Sequence, residues 1–309
     1  MTDETRVPAE LDNQRADLVV ARLAEVSRAV AKKAIEAGGV TVDGATCDPA
    51  TRLHTGQALT IEIVEVVNEV VPEAVEFGVR YESPAVRVID KPPGVVVHPG
   101  AGNATGTLAA GLLERFDDTL GDEHRWGLVH RLDKDTSGLL LVARTPEAHE
   151  ALTDAMRKRE VRRSYLSVVA GTVPSATGTI EAPLGRDPNA PTRIAVQTGG
   201  RHAVTHYARA AEWPGFALLD IELETGRTHQ IRVHLGAIDL PVVGDGAYGD
   251  VSDSANPANP GRVWLHAYRL GFVDPSIGEE VTVLAPLPDD LVASLERLGK
   301  PAVGTVPTI

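Results

Sequence analysis

An acidic, proline-containing stretch at residues 65–78 divides this chain into two segments of different character. Its acids and its one proline are Glu65, Glu69, Pro72, Glu73 and Glu76. Charge of one sign together with proline is typical of a linker between folded units. The sequence therefore predicts a small domain at 12–64, a linker at 65–78 and a larger domain at 79–299.

The small segment combines helical and strand patterns. Apolar positions between Arg15 and Val26 recur at helical spacing, and a second helix is expected to end at Gly38-Gly39. The run at 40–42 and the apolar positions 59, 61 and 63, which alternate with polar residues, favour short strands. Two short helices packed on strands are therefore expected.

The larger segment mixes strands and helices and shows no repeat of fixed period. Apolar runs at 86–89 and 217–223 predict strands, and helical spacing predicts helices at roughly 105–116 and 146–159. A mixed α+β domain is expected. Two terminal stretches are polar and are expected to be unstructured, residues 1–11 and those after Gly299.

The net charge of −13 weighs against nonspecific binding of nucleic acid, because phosphate contacts need a surplus of lysine and arginine. Taken alone, this charge favours an enzyme that acts on small molecules. Residues 157–163 differ, with five basic residues against one acid. Such a run is either the solvated end of a helix or a local surface for phosphates, and the sequence alone leaves both open.

Membrane and secretion signals are not found in the sequence. No apolar run reaches the roughly 20 residues that span a bilayer, and no early segment has the pattern of a signal peptide. We therefore expect a soluble, cytoplasmic protein that makes no membrane contact and is monomeric.

Metal and dinucleotide sites are also not expected. Residues 244–249 satisfy the pattern G-x-G-x-x-G, but no helix is predicted after them to hold a pyrophosphate. His202 and His206 lie on a predicted strand, where residues four apart are about 13 Å from each other. The single cysteine, Cys47, has no second thiol for a zinc knuckle. We expect no cofactor and no metal.

A polar loop enclosed by apolar runs is the strongest candidate for chemistry. In residues 127–143, Leu128-Val129 precede a charged loop that ends in Thr-Ser-Gly, and an apolar strand follows. This arrangement would present Asp133 and Asp135 at one end of a sheet, where catalytic groups often lie. A surface turn explains the same residues equally well.

Four ordered motifs resemble the RluA/RluD-type pseudouridine synthases, and the resemblance covers nearly the whole chain. The motifs are His130-Arg131-Leu132-Asp133 with Thr136-Ser137-Gly138, residues 89–103, Arg163-Ser164-Tyr165 and residues 224–234. The resemblance is greatest to the RluD-like branch. It implies an α+β fold, in which a small α/β module precedes a mixed, mainly antiparallel-sheet catalytic domain.

The N-terminal segment resembles the S4 RNA-binding domain. Residues 39–44 and 53–61 are similar to the two strand motifs of that domain. The resemblance implies that Arg28, Lys32 and Lys33, on the second predicted helix, face RNA.

The resemblance also implies roles for the other motif residues. Asp133 is expected to be the catalytic carboxylate, Tyr165 the ring stacked on uracil, and Arg232 the ion-pair partner of Asp133. Arg131 is expected to fill the position that the extruded uridine leaves. The remaining expected substrate contacts are His98, His130, Arg163 and Gln230, and the remaining expected RNA contacts are Arg157 and Lys158.

These roles agree with the chemistry of the reaction. Breaking the bond between uracil and ribose and rejoining it through C5 requires an ionised carboxylate, either to attack C1′ or to remove a proton from C2′. A guanidinium beside the carboxylate keeps it charged in a cleft. A tyrosine offers the detached base a flat surface and a hydroxyl near C5.

We therefore expect an isomerase that converts specific uridines of structured RNA, with large-subunit ribosomal RNA or its precursor particle as partner. Two other classes compete with this interpretation. A noncatalytic RNA-binding or ribosome-assembly protein could keep the fold, although the intact Asp133, Tyr165 and Arg232 weigh against it. A nucleosidase would also use a carboxylate at a sugar carbon, but it would not need an S4-like module.

Overall fold

The computed structural model describes residues 3–24, 26, 28–62, 70–100, 103–188, 190, 193–249 and 256–309. The chain forms two compact units, Met1–Glu69 and Val70–Ile309. The predicted domain boundaries stay predictions, and the part of the expected linker at 65–69 lies outside the described residues.

The described part of the first unit contains two α-helices and two small antiparallel sheets. Its helices are α1 (Ala16–Leu23) and α2 (Arg28–Glu36). Its strands are β1 (Asp3–Arg6), β2 (Gln14–Arg15), β3 (Val40–Val42), β4 (Ala45–Thr46), β5 (Arg52–Leu53) and β6 (Ala58–Ile61). The strand order is β1-β6-β3-β4 in one sheet, and β2 pairs with β5 in the other. The expected helices and strands are therefore present, while residue 63 lies outside the described part of the chain.

The prediction that residues 1–11 are unstructured is wrong for the residues that the structure describes. β1 pairs antiparallel with β6, with Asp3 opposite Ile61 and Arg6 opposite Ala58. Val7 and Leu11 are buried in the core of this unit. A polar strand is stable at this edge because backbone hydrogen bonds, which the residue pattern does not reveal, hold it in place.

The described part of the second unit contains the remaining strands and four α-helices. The strands are β7 (Gly78–Glu82), β8 (Val86–Lys91), β9 (Ser137–Ala143), β10 (Arg162–Ala170), β11 (Thr177–Glu181), β12 (Leu184–Arg186), β13 (Ile194–Val196), β14 (Val204–Trp213), β15 (Phe216–Leu223), β16 (Leu265–Val273), β17 (Glu280–Leu284) and β18 (Val303–Gly304). The helices are α3 (Leu108–Arg115), α4 (Pro146–Lys158), α5 (Gln230–Gly236) and α6 (Asp289–Leu298).

Most of these strands form one large, mainly antiparallel sheet, as expected. Its order is β11-β14-β15-β10-β16-β9-β8-β7, with β17 on β16 and β18 on β14. The β9–β16 pair is parallel. β12 and β13 form a separate hairpin. Because β18 pairs with β14, the prediction that the chain is unstructured after Gly299 is also wrong.

Both faces of the sheet are covered at its centre. Along β9, Leu140 and Val142 join one buried apolar cluster, while Leu139, Leu141 and Ala143 join another. This explains why the strand is an unbroken apolar run instead of an alternating one. The rigid centre of the sheet ends at the loop that carries Asp133.

Candidate active site

A buried lysine holds the loop before β9 in place through hydrogen bonds to backbone carbonyls. Lys91 is fully buried, and its ammonium donates hydrogen bonds to the backbone carbonyls of Pro92, Val95 and Lys134 at 2.8, 2.9 and 2.9 Å. Leu132, the residue that precedes Asp133 in the chain, is buried in the core. Asp133 thus lies between two anchored neighbours, which fixes the direction of its side chain.

Asp133 is paired with Arg232, as the sequence predicts. Arg232 lies on α5, and its Nη1 donates to Asp133 Oδ2 at 3.3 Å. The side chain of Asp133 is 20% exposed, so its carboxylate is held by the arginine and still faces open space. His229 Nε2 lies 4.0 Å from the same oxygen.

The stronger contact of Arg232 is with Asp245, a residue that the sequence did not suggest. Arg232 donates from Nε to Asp245 Oδ2 at 2.6 Å and from Nη2 to Oδ1 at 2.8 Å. Burial opposes the charged form of Arg232, but the hydrogen bonds and charge of Asp245, together with Asp133, raise its pKa above the ordinary value. Burial likewise opposes the charge of Asp245, but Arg232 and the amides of Ala247 and Tyr248 keep its pKa below the ordinary value.

Tyr165 lies on β10 at an irregularity in the pairing with β16. A bulge of this kind turns a side chain away from the regular alternation of the strand. The residue is only 5% exposed, and burial raises the pKa of its hydroxyl above the ordinary value. Tyr165 and Asp133 both line one cleft of about 690 Å³.

We call this the catalytic cleft, after the role that the resemblance implies, and it is strongly basic although the protein is acidic. Its acids are Asp133 and Glu224, whereas its eight arginines are Arg125, Arg131, Arg157, Arg159, Arg163, Arg201, Arg227 and Arg232. The cleft lies where β15 ends and where β9 and β10 begin. Positive charge concentrated in one concave site attracts phosphates to that site and not to the rest of the surface.

His229 and Tyr248 complete the surroundings of Asp133. His229 adopts a left-handed backbone conformation with φ 55°, which is uncommon for a residue other than glycine. Its Nδ1 is hydrogen-bonded to Tyr248 Oη at 2.7 Å, and burial lowers its pKa. The segment 244–249, discarded as a dinucleotide motif, thus supplies Asp245 and Tyr248 to the site. A conspicuous glycine-rich motif without a dinucleotide role was the available signal.

Three of the predicted substrate contacts are held by the protein itself. His130 Nε2 accepts a hydrogen bond from the amide of Leu141 at 3.0 Å, and burial lowers the pKa of His130 to about 3. Gln230 is buried and makes side-chain hydrogen bonds to Val204, Thr205, Thr225 and Arg227. His98 Nε2 contacts Nη2 of Arg125 at 2.9 Å, and burial, then nearby arginines, lower its pKa to about 4. Of the three, His130 and Gln230 line the catalytic cleft.

The predicted contacts Arg131 and Arg163 differ in burial. Arg131 is exposed at the cleft, two residues from Asp133. Arg163 is 6% exposed and lies below the loop after β15, where its Nη2 is 3.4 Å from the carbonyl of Leu223. Substrate contact by all five of these residues stays a prediction.

The predicted RNA-binding residues are exposed but partly paired with acids. On α2, Arg28 pairs with Asp17 at 3.0 Å, and Lys32 pairs with Glu36 at 3.5 Å. Arg157 and Lys158, at the end of α4, both pair with Asp154. Arg157 also lines the catalytic cleft.

In the described part of the chain, no three histidine, cysteine or acidic side chains are grouped closely enough to hold a metal ion. Among the same residues, no helix has the length and apolar character needed to cross a bilayer.

Comparisons with known proteins identify both units. A family model described as RNA pseudouridylate synthase matches residues 85–237, and a model of the S4 domain matches residues 14–59.

Whole-chain relatives agree with these matches. "Ribosomal large subunit pseudouridine synthase D" of Xanthomonas campestris is 42% identical over 303 residues, which cover 94% of this chain and 91% of the relative. An uncharacterized RNA pseudouridine synthase of Bacillus subtilis is 39% identical over 282 residues, covering 89% and 90%. The solved human RNA pseudouridylate synthase domain containing 1 aligns with a TM-score of 0.60 at 27% identity, covering 76% of this chain and 93% of that one.

Proposed function

The chain belongs to the RNA pseudouridylate synthase family, and on that premise we propose that it isomerises specific uridines of large-subunit ribosomal RNA with Asp133 as catalytic carboxylate. The observation that carries the proposal is Asp133 itself, a partly exposed carboxylate paired with Arg232 and surrounded by arginines in a cleft with Tyr165. The ribosomal substrate is suggested by the printed name of the Xanthomonas relative and by the S4 domain.

Asp133 acts at the ribose in this proposal. The bond between N1 of uracil and C1′ breaks, the base turns, and a bond from C5 to C1′ replaces it. The carboxylate either attacks C1′ or removes a proton from C2′, and both routes need it ionised. Arg232 maintains the charge and direction of the carboxylate while leaving part of it open to the ribose.

Tyr165 holds the detached uracil while it turns. Its ring is embedded in the apolar core at the cleft, which gives the base a flat surface to stack on. Because burial raises the pKa of its hydroxyl, that hydroxyl is protonated at neutral pH. It takes the proton from C5 and gives its own proton to N1, which has lost its bond to C1′, so the isomerisation gains and loses no proton overall.

The uridine must leave its stem-loop to reach Asp133. Extrusion costs a few kcal/mol of stacking and pairing, which basic contacts to the flanking RNA can offset. Arg131 is exposed at the cleft and is our candidate to fill the vacated position. A cytoplasmic location and a monomeric state belong to the same proposal.

The test is to incubate the full chain with free uridine and with a large-subunit ribosomal RNA transcript, and to measure pseudouridine and free uracil by mass spectrometry of nucleosides. The proposal expects pseudouridine in the transcript alone. Release of uracil from uridine would indicate a nucleosidase, and a protein that binds the transcript without altering it would indicate a noncatalytic RNA-binding role.

A further inference from the structure

A second cavity lies beside the catalytic cleft in the same unit. It has a volume of about 520 Å³ and lies between the β12–β13 hairpin and the loop after β15. We call it the flanking cavity, and it is defined by residues 184–186, 194, 197–201 and 226–228. Its size is in the range of pockets that hold small organic ligands.

The two cavities share one wall. Arg201, Gly226, Arg227 and Thr228 line both of them. At Gly226 this wall has no side chain, and a Cβ there would lie 2.6 Å from Nη1 of Arg163. The guanidinium of Arg163 therefore packs directly against the backbone of the wall at this point, and a strand of RNA crossing the wall could place neighbouring nucleotides on its two sides.

The flanking cavity is basic and contains no acid among the described residues that line it. Arg201 has no carboxylate within ion-pair distance in the described part of the chain, and Arg227 donates only from Nε to the carbonyl of His202 at 3.1 Å. Burial, and then the positive charges of Arg201 and Arg159, lower the pKa of Arg227. A group of arginines with no acid beside it, in a chain of net charge −13, is suited to bind an anion.

We propose that the flanking cavity binds the nucleotide next to the target uridine, with the phosphate that joins the two nucleotides held between Arg201 and Arg227. Guanidinium groups bind phosphate oxygens with paired hydrogen bonds, so two of them fix the position of the strand. Ile194 lines the cavity as an apolar surface for the base, while Gln197 and Thr198 offer polar atoms to its edge. The inference rests on the proposed function, because it places the target uridine over Asp133.

The test is a thermodynamic cycle between single phosphates and single arginines. The probe is a short stem-loop RNA that contains a uridine mapped in the ribosomal transcript, with one methylphosphonate replacing one phosphate at a time around that uridine. Binding is measured for the wild type, Arg201→Gln, Arg227→Gln and the control Arg209→Gln. Arg209 pairs with Glu212 and lines neither cavity.

At one phosphate adjacent to the target, we expect neutralisation to weaken wild-type and Arg209→Gln binding roughly tenfold, as loss of a charged hydrogen bond should. The same neutralisation should weaken binding by Arg201→Gln or by Arg227→Gln clearly less than it weakens wild-type binding, because one of the two arginine contacts is already lost. Equal losses in all four proteins at every phosphate would overturn the flanking site. Arg201 is exposed, so its variant tests the proposal even where Arg227→Gln fails to fold.

Pseudouridine formation by the wild type in the same stem-loop reports separately on the proposed function. A wild type that modifies the RNA but shows no phosphate coupling contradicts the flanking site alone. A wild type that binds the RNA and modifies neither it nor the full transcript contradicts the proposed function.

Discussion

Arg232 forms a bidentate ion pair with Asp245, in which both carboxylate oxygens of Asp245 accept hydrogen bonds from the guanidinium at 2.6 and 2.8 Å. The side chain of Asp245 is 1% exposed, against 20% for Asp133. In the proposed mechanism the two carboxylates that contact Arg232 have different roles: the buried one fixes the arginine, and the open one is left for the substrate.

This arrangement predicts that Asp245→Asn impairs turnover although Asp245 does not contact the substrate. The amide keeps the size of the side chain but loses the charge that orients Arg232, and a small misplacement of a catalytic group can cost about 100-fold in rate. We expect kcat to fall about 10- to 100-fold while RNA affinity changes little.

The matched control is Asp118→Asn, because Asp118 also accepts two hydrogen bonds from one arginine, Arg87, and does not line the catalytic cleft. Its kcat should resemble that of the wild type. An Asp245→Asn enzyme with unchanged kcat would show that Asp245 does not position Arg232 for catalysis.

Tyr165 is predicted to contribute its ring and its hydroxyl to different steps. Tyr165→Phe keeps the flat ring, so RNA binding should persist, but proton removal from C5 is lost and turnover should fall at least about 100-fold. Tyr165→Leu should also lose the stacking surface. Single-turnover rates and RNA affinity measured for both variants separate the steps, and normal turnover by the phenylalanine variant would limit the residue to stacking.

The buried side chain of His130 should lower the free energy of unfolding at acidic pH. Burial lowers the pKa of His130 to about 3, far below its value of about 6.5 in the unfolded chain. Its contribution to the free energy of unfolding is therefore complete above pH 6.5 and is lost as the pH falls towards 3. The loss in the free energy of unfolding is about 2 kcal/mol at pH 5. His130→Gln cannot be protonated, so urea unfolding should show a smaller difference between pH 7 and pH 5 than in the wild type.

The exposed His202 provides a control for this effect, and His202→Gln should keep the wild-type difference in the free energy of unfolding between the two pH values. An equal difference in the wild type and in His130→Gln would mean that His130 is not the group responsible.

The S4 domain should contact RNA phosphates unequally through its three predicted cations. Arg28 and Lys32 have acidic partners, whereas Lys33 is exposed with no ion pair in the described part of the chain. Lys33→Gln should therefore reduce the slope of log affinity against log salt by about 1, as loss of one phosphate contact does. Arg28→Gln should reduce it less, and the reverse order would contradict this ranking.

Much of the fold follows from periodicity, and the departures have physical reasons. The helix predicted at roughly 146–159 is α4, Pro146–Lys158, and the strand predicted at 217–223 lies within β15. The strands β1 and β18 were not predicted, because edge pairing depends on partners distant in sequence. Periodicity describes the burial of side chains, and these strands are held mainly by their backbones.

Some residues of the candidate site could likewise be predicted from the sequence, and others could not. The resemblance placed Asp133, Arg232 and Tyr165 in a catalytic centre, and the structure brings Asp133 next to Arg232 in the cleft that Tyr165 lines. Asp245 could not be predicted from spacing, because its two hydrogen bonds to Arg232 depend on how the segment after α5 folds back. The flanking cavity likewise arises from a hairpin and a loop that are distant in sequence.

The most direct test of Asp133 as the catalytic carboxylate is the single-turnover rate of Asp133→Asn on the ribosomal transcript at saturating RNA. The amide keeps the size of the side chain and can still contact Arg232, but it can neither attack C1′ nor remove a proton from C2′. We predict no detectable pseudouridine, with RNA affinity within about threefold of the wild type, because one residue in a large basic cleft contributes little to phosphate binding. A variant that forms pseudouridine at a rate near that of the wild type would show that the carboxylate of Asp133 does not perform the reaction.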